Sequence, residues 1–76
     1  MNKDRRHRLY GITNVLYIMR YDVKVLQAEE QVCYKNMPSR WQCSPRGGKM
    51  QEAIVALDFA LSHLEKAIKE LEIAAK

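Results

Sequence analysis

The sequence predicts an all-α fold: an antiparallel two-helix hairpin of coiled-coil character that pairs with a second copy into a four-helix bundle. Three observations carry this. The C-terminal third repeats every seven residues, with Ala53, Ala60, Ala67 and Ala74 each preceding the series Ile54, Leu61, Ile68 and Ala75, while Met50, Leu57, Leu64 and Leu71 form a third row. Apolar residues at 3-4 spacing also run through the N-terminal half. Between the two lies a break that contains Asn36-Met37-Pro38 and Ser44-Pro45. The 76 residues form one domain, 1–76, near the lower size at which a chain buries enough apolar surface to fold alone.

The first helix is expected over about 4–36, with Asn2 or Asp4 capping its start. Leu9, Ile12, Leu16, Met19, Val23, Leu26 and Cys33 follow the helical period and mark its packing stripe, interrupted at Glu30. Gly11 costs roughly 1 kcal/mol relative to Ala in a helix interior, so the first turns depend on packing. A second stripe, Val15, Ile18, Val25 and Val32, lies off that line and is widened by Tyr10, Tyr17 and Tyr21. One partner helix cannot cover both stripes, which is the reason to expect a homodimer.

Pro38 ends the first helix, because it lacks a donor and biases Met37 out of the helical region. Residues 37–43 form the turn and carry Trp41. Ser44 then reads as an N-cap and Pro45 as the first helical residue of a second helix over about 44–75. Gly47 and Gly48 fall in its first turn, where fraying is expected. With Met50, Leu57, Leu64 and Leu71 at heptad d, the Ile/Leu series is a and the alanines are g; three apolar positions per heptad describe a bundle helix. Small residues at g let a neighbouring helix approach closely. Gln51, Asp58, Glu65 and Glu72 fill e, and Glu65–Lys69 and Lys66–Glu70 are spaced for weak pairs along the helix.

Charge divides the chain. Residues 1–48 hold nine Lys/Arg against four Asp/Glu, and residues 49–76 hold four against five, so halves of about +5 and −1 make up the net +4. Part of this asymmetry serves pairing between the helices, and part is available to an anionic partner. No segment approaches the ~20 apolar residues of a membrane span, and the basic start is not followed by a cleavable signal pattern. With two cysteines, reduced thiols in the cytoplasm are expected, Cys33 buried in the seam and Cys43 in the loop.

Glu29-Glu30-Gln31-Val32-Cys33-Tyr34-Lys35-Asn36-Met37-Pro38, followed by Gln42, Ser44, Arg46 and Gly47 and then Met50-Gln51-Glu52-Ala53, resembles the interhelical loop of very small helical-hairpin proteins found in phages, prophages and other mobile elements. The basic opening Arg5-Arg6-His7-Arg8-Leu9 fits the same pattern. Only the loop is specific. The resemblance implies a helical hairpin and a mobile-element setting, for proteins mostly of unassigned function. The chain departs from that pattern at Trp41, where an aliphatic residue is usual, at Cys43, and at Pro45, where an acidic residue is common. It is also basic where its apparent relatives tend to be acidic.

No spacing of catalytic or metal-ligating residues stands out. His7 sits in a basic run, His63 falls at heptad c on a solvated face, and Cys33 and Cys43 lie ten apart with no neighbouring histidine. Arg46-Gly47-Gly48-Lys49 is too short for a phosphate-binding loop. The expectation is a chain without catalysis, cofactor or metal.

Two places carry the candidate partner-binding residues. Arg5, Arg6 and Arg8 put cations at a helix N-terminus, against the macrodipole, which stability alone does not favour. They read either as contacts to an anionic surface or as solvating charge. Trp41, beside Arg40, reads either as a plug closing the open end of the bundle or as an interface anchor. Val15, Ile18, Val25 and Val32, with Ala53, Ala60, Ala67 and Ala74, are the expected dimer-packing residues. The leading expectation is a non-catalytic protein that binds and inhibits or modulates a host protein, such as an anti-CRISPR or similar anti-defence factor. The alternatives are a dimeric binder of a nucleotide or nucleic acid through the basic cluster, and a structural assembly component.

Overall fold

A computed structural model describes residues 1–76 as three helices: α1 (Lys3–Lys35), a single turn α2 (Ser39–Gln42) and α3 (Pro45–Ala74). Asn2 caps α1, its Oδ1 accepting the Arg5 N–H at 2.8 Å, with Asp4 adding favourable charge in the first turn. Asn36 closes the helix, and Pro38 prevents its continuation. The expected turn over 37–43 is therefore part helical: Trp41 and Gln42 donate their N–H groups to the Pro38 carbonyl at 2.8 and 3.0 Å. Ser44 caps α3 as its sequence position implies, accepting the Gly47 N–H at 3.3 Å, with Pro45 in the first turn. The Gln42 side-chain amide donates to the Tyr34 carbonyl at 2.9 Å, tying the turn back to α1.

The two long helices lie side by side as a rod of 58 × 14 × 12 Å. On α3 the seam is the one read from the heptads: Leu61, Ile68 and Ala75 are buried, and Met50, Leu57, Leu64 and Leu71 are half-buried. On α1 the structure corrects the expected stripe. Leu9, Leu16 and Val23 do turn inward, but they alternate with Thr13, Arg20, Gln27 and Tyr34, while Ile12, Met19, Leu26 and Cys33 are exposed. The helix is rolled by roughly one heptad position from the stripe of greatest apolarity.

The roll has identifiable gains. It lets Arg20 and Lys24 reach Glu65 at 3.9 and 3.8 Å, so Glu65 pairs across to α1 and not along its own helix. Tyr17 Oη donates to Glu72 Oε1 at 3.1 Å, and Gln27 Nε2 donates to the Ile54 carbonyl at 3.1 Å. Each half-exposed ion pair contributes ~0–1 kcal/mol, so the sum of these contacts decides and no single one does. Thr13, the buried polar side chain of the seam, donates its hydroxyl to the Leu9 carbonyl at 2.9 Å and so enters without an unpaired group.

Gly47 is buried, and the expectation of a frayed glycine pair is corrected there. A Cβ on Gly47 would stand 2.6 Å from the Trp41 carbonyl oxygen and closer still to that of Gln42, whereas one on Gly48 or Gly11 would meet nothing within 4 Å. Both obstacles at Gly47 are backbone, so the turn carrying Trp41 must shift to admit a side chain. Gly47→Ala is therefore expected to lose ~1–3 kcal/mol, as overpacking does. Gly48→Ala and Gly11→Ala should instead gain up to ~1 kcal/mol. Urea denaturation followed by circular dichroism separates the two outcomes. Ile68, 2% exposed, is the most buried side chain, and Ile68→Ala should cost ~2–4 kcal/mol in the same assay.

Candidate functional site

The contacts between α1 and α3 also set their register. Tyr17 meets Glu72, and Tyr10 and Thr13 border the same concavity as Ala75 and Lys76. Residues before Leu9 consequently run past the end of α3, and roughly two turns of the chain's start project with no neighbouring helix. This projecting tip carries the basic cluster. Its arginines are divided between two sides: Arg5 and Arg8 border one shallow groove with Leu9 and Ile12, and Arg6 borders another with Lys3, His7 and Tyr10. The Arg6 guanidinium donates to the Met1 carbonyl at 2.9 Å, bracing the chain terminus. Arg5 and Arg8 are exposed.

Trp41 lies at the opposite end of the 58 Å rod, so the two sets of expected partner-binding residues cannot share one small ligand within a single chain. The indole is 46% exposed, short of a plug, and it lines an open groove of about 670 Å³ with Cys33, Met37 and Met50. The cation beside it in this groove is Arg46, while Arg40 is exposed outside the lining. Arg46 escaped the sequence reading, although the heptads contained the signal: it sits seven residues before Ala53, at the head of the alanine row.

The flanks of the hairpin differ in character. In an antiparallel pair the e positions of both helices share one flank and the g positions the other. With Thr13, Arg20, Gln27 and Tyr34 at a, the e flank holds Tyr10, Tyr17, Lys24 and Gln31 against Gln51, Asp58, Glu65 and Glu72, a polar surface laced by the contacts above. The g flank holds Ile12, Met19, Leu26 and Cys33 beside Ala53, Ala60, Ala67 and Ala74, all exposed. Cys33 is thereby moved from the expected buried seam onto this open flank, and both thiols are free and exposed. Val15, Ile18, Val25 and Val32 extend the apolar surface over the outer side of α1, 55%, 62%, 38% and 56% exposed.

A second apolar patch went unread in the sequence. Val55 and Phe59 are 54% and 65% exposed and, with Tyr34 and Ile54, line a groove of about 910 Å³ near the turn on the other flank. Their b and f positions are outward in the heptad, and a large aromatic at f was the available signal.

Tyr17 has an altered environment. Its hydrogen bond to Glu72 raises the phenol above its ordinary value of 10.0, with desolvation and the Glu72 charge adding to the rise and Arg20, 5.3 Å from the ring centroid, opposing it. No cluster of three or more His, Cys, Asp or Glu is placed to hold a metal ion, and no helix is long and apolar enough to cross a membrane. No family model, curated protein or solved structure matches the chain.

Because the phenol of Tyr17 is raised in the folded state, it holds its proton more tightly there than in the unfolded chain. Its contribution to stability is present below pH 10 and is lost as pH rises through the raised folded value. Ultraviolet titration of the four tyrosines should show one ionising later than the rest, and Glu72→Gln should bring it back toward the others.

Proposed function

We propose that this chain is a small non-catalytic interaction protein of phage or mobile-element origin. It acts in the bacterial cytoplasm as a homodimeric four-helix bundle and binds a host protein, inhibiting or redirecting it; an anti-CRISPR or similar anti-defence factor is the instance in view. The observation that carries this reading is the imbalance of the hairpin. Only five of 76 residues are buried, while Ile12, Val15, Ile18, Met19, Leu26 and Val32 are all more than half exposed along one helix. Such a surface is what an association module presents, and it is far larger than a self-sufficient monomer leaves open. The genetic setting rests on the resemblance of the interhelical loop.

Two ends of the dimer are available to the host protein. Trp41 with Arg46 and Arg40 supplies an aromatic anchor with cations nearby, the composition of binding hot spots. Arg5 and Arg8 on the projecting tip supply electrostatic steering. Affinity capture from the bacterial host should retain one protein in stoichiometric amount. Trp41→Ala should weaken that complex by roughly 30-fold, corresponding to ~2 kcal/mol. Sedimentation should give a dimer, and Leu26→Asp should give a monomer. A folded wild-type chain that stays monomeric at all concentrations and retains no host protein overturns the reading.

The projecting cationic tip favours a second reading, in which the dimer binds a nucleotide or nucleic acid through Arg5, Arg6 and Arg8. Its mark would be binding that falls steeply between low and physiological salt and disappears on substitution of the three arginines by alanine. An assembly component would instead show higher oligomers and no host partner.

A further inference from the structure

Resting on the homodimer proposed above, we infer how its two copies meet: along the g flank, related by a two-fold axis parallel to the rod, with both turns at one end and both cationic tips at the other. The flank bears two parallel rows, one of large side chains at Ile12, Met19, Leu26 and Cys33, and one of alanines at Ala53, Ala60, Ala67 and Ala74, all exposed. Face-to-face pairing with full overlap admits two symmetries. An axis across the rod sets the large row on the large row and alanine on alanine, which forces one pair of helices apart while drawing the other together. An axis along the rod sets each large row on the partner copy's alanine row, so protrusions meet hollows along the whole flank. The occupant that matches these rows is therefore a second copy of the chain.

Charge selects the same arrangement. The two rows are centred near Asp22 and His63, both exposed on the edge of the flank. With the axis across the rod, Asp22 faces Asp22 of the other copy and His63 faces His63. With the axis along it, Asp22 faces the turn of the other copy's α3 that carries His63. The two rows, Ile12 to Cys33 and Ala53 to Ala74, run side by side over about 32 Å of the rod at 1.5 Å per residue. Repulsion between the tips is slight, since exposed charges beyond a Debye length of ~8 Å are screened.

The consequence for binding is that Arg5 and Arg8 of both copies converge at one end. They form a cationic fork for a single anionic surface, with two Trp41 side chains at the other end. Dipolar electron resonance with a nitroxide on Cys43 in a Cys33→Ser chain tests this directly. Side-by-side turns give a label separation of ~25 Å, from interaxial distances of ~10 Å plus the label arms. Turns at opposite ends give a separation near the 58 Å length of the rod and overturn the pairing while leaving the dimer intact. A monomer by sedimentation under the labelling conditions overturns both. Sedimentation of the unlabelled wild-type chain covers the case in which Cys33→Ser disturbs association.

Discussion

A helix with more apolar surface than one partner can cover buries only one arc of it, and α1 is such a helix. Everything distinctive in the structure follows from which arc it commits. The arc turned toward α3 joins Leu9, Leu16 and Val23 with Thr13, Arg20, Gln27 and Tyr34. Long side chains there cover apolar surface with their stems while their polar ends reach the edge, as Arg20 does toward Glu65. The arc left outward is the more apolar of the two. The intramolecular seam thus joins the apolar face of α3 to a mixed face of α1 edged by polar contacts, and the more apolar arc of α1 stays exposed.

How much of this was legible can be judged helix by helix. The heptads of α3, the Ser44 cap with Pro45, and the Asn2 cap follow from local chemistry, and the structure places them where that chemistry puts them. The roll of α1 was not legible. Two seams share Leu9, Leu16 and Val23 and differ only in taking Ile12, Met19 and Leu26 or Thr13, Arg20 and Gln27 between them. Apolar periodicity favours the first, and the identity of the facing residues on α3 favours the second. Period analysis of one helix contains no term for its neighbour. Gly47 failed for a related reason: its constraint is the Gln42 and Trp41 carbonyls arriving from the preceding turn.

The candidate site was legible in composition and not in arrangement. Arg5, Arg6 and Arg8 are adjacent in sequence, yet helical geometry parts Arg6 from the other two. Trp41 stands out by its residue type, but its company of Arg46, Met37 and Met50 depends on how the turn folds over the end of the hairpin. The register that leaves the N-terminal tip without a neighbour rests on pairings such as Tyr17 with Glu72, which no single-helix pattern encodes.

That unaccompanied tip makes α1 a helix of two stabilities. Before Leu9 the backbone is held by its own hydrogen bonds, the Asn2 cap and the Arg6 contact to Met1, while its cations work against the helix dipole. Local opening there requires no separation of α1 from α3. An anionic surface laid against it would do two things together, neutralising the repulsion and winding the last turns tight. The order of the tip would then report such a surface while the packing of α1 on α3 stayed unchanged.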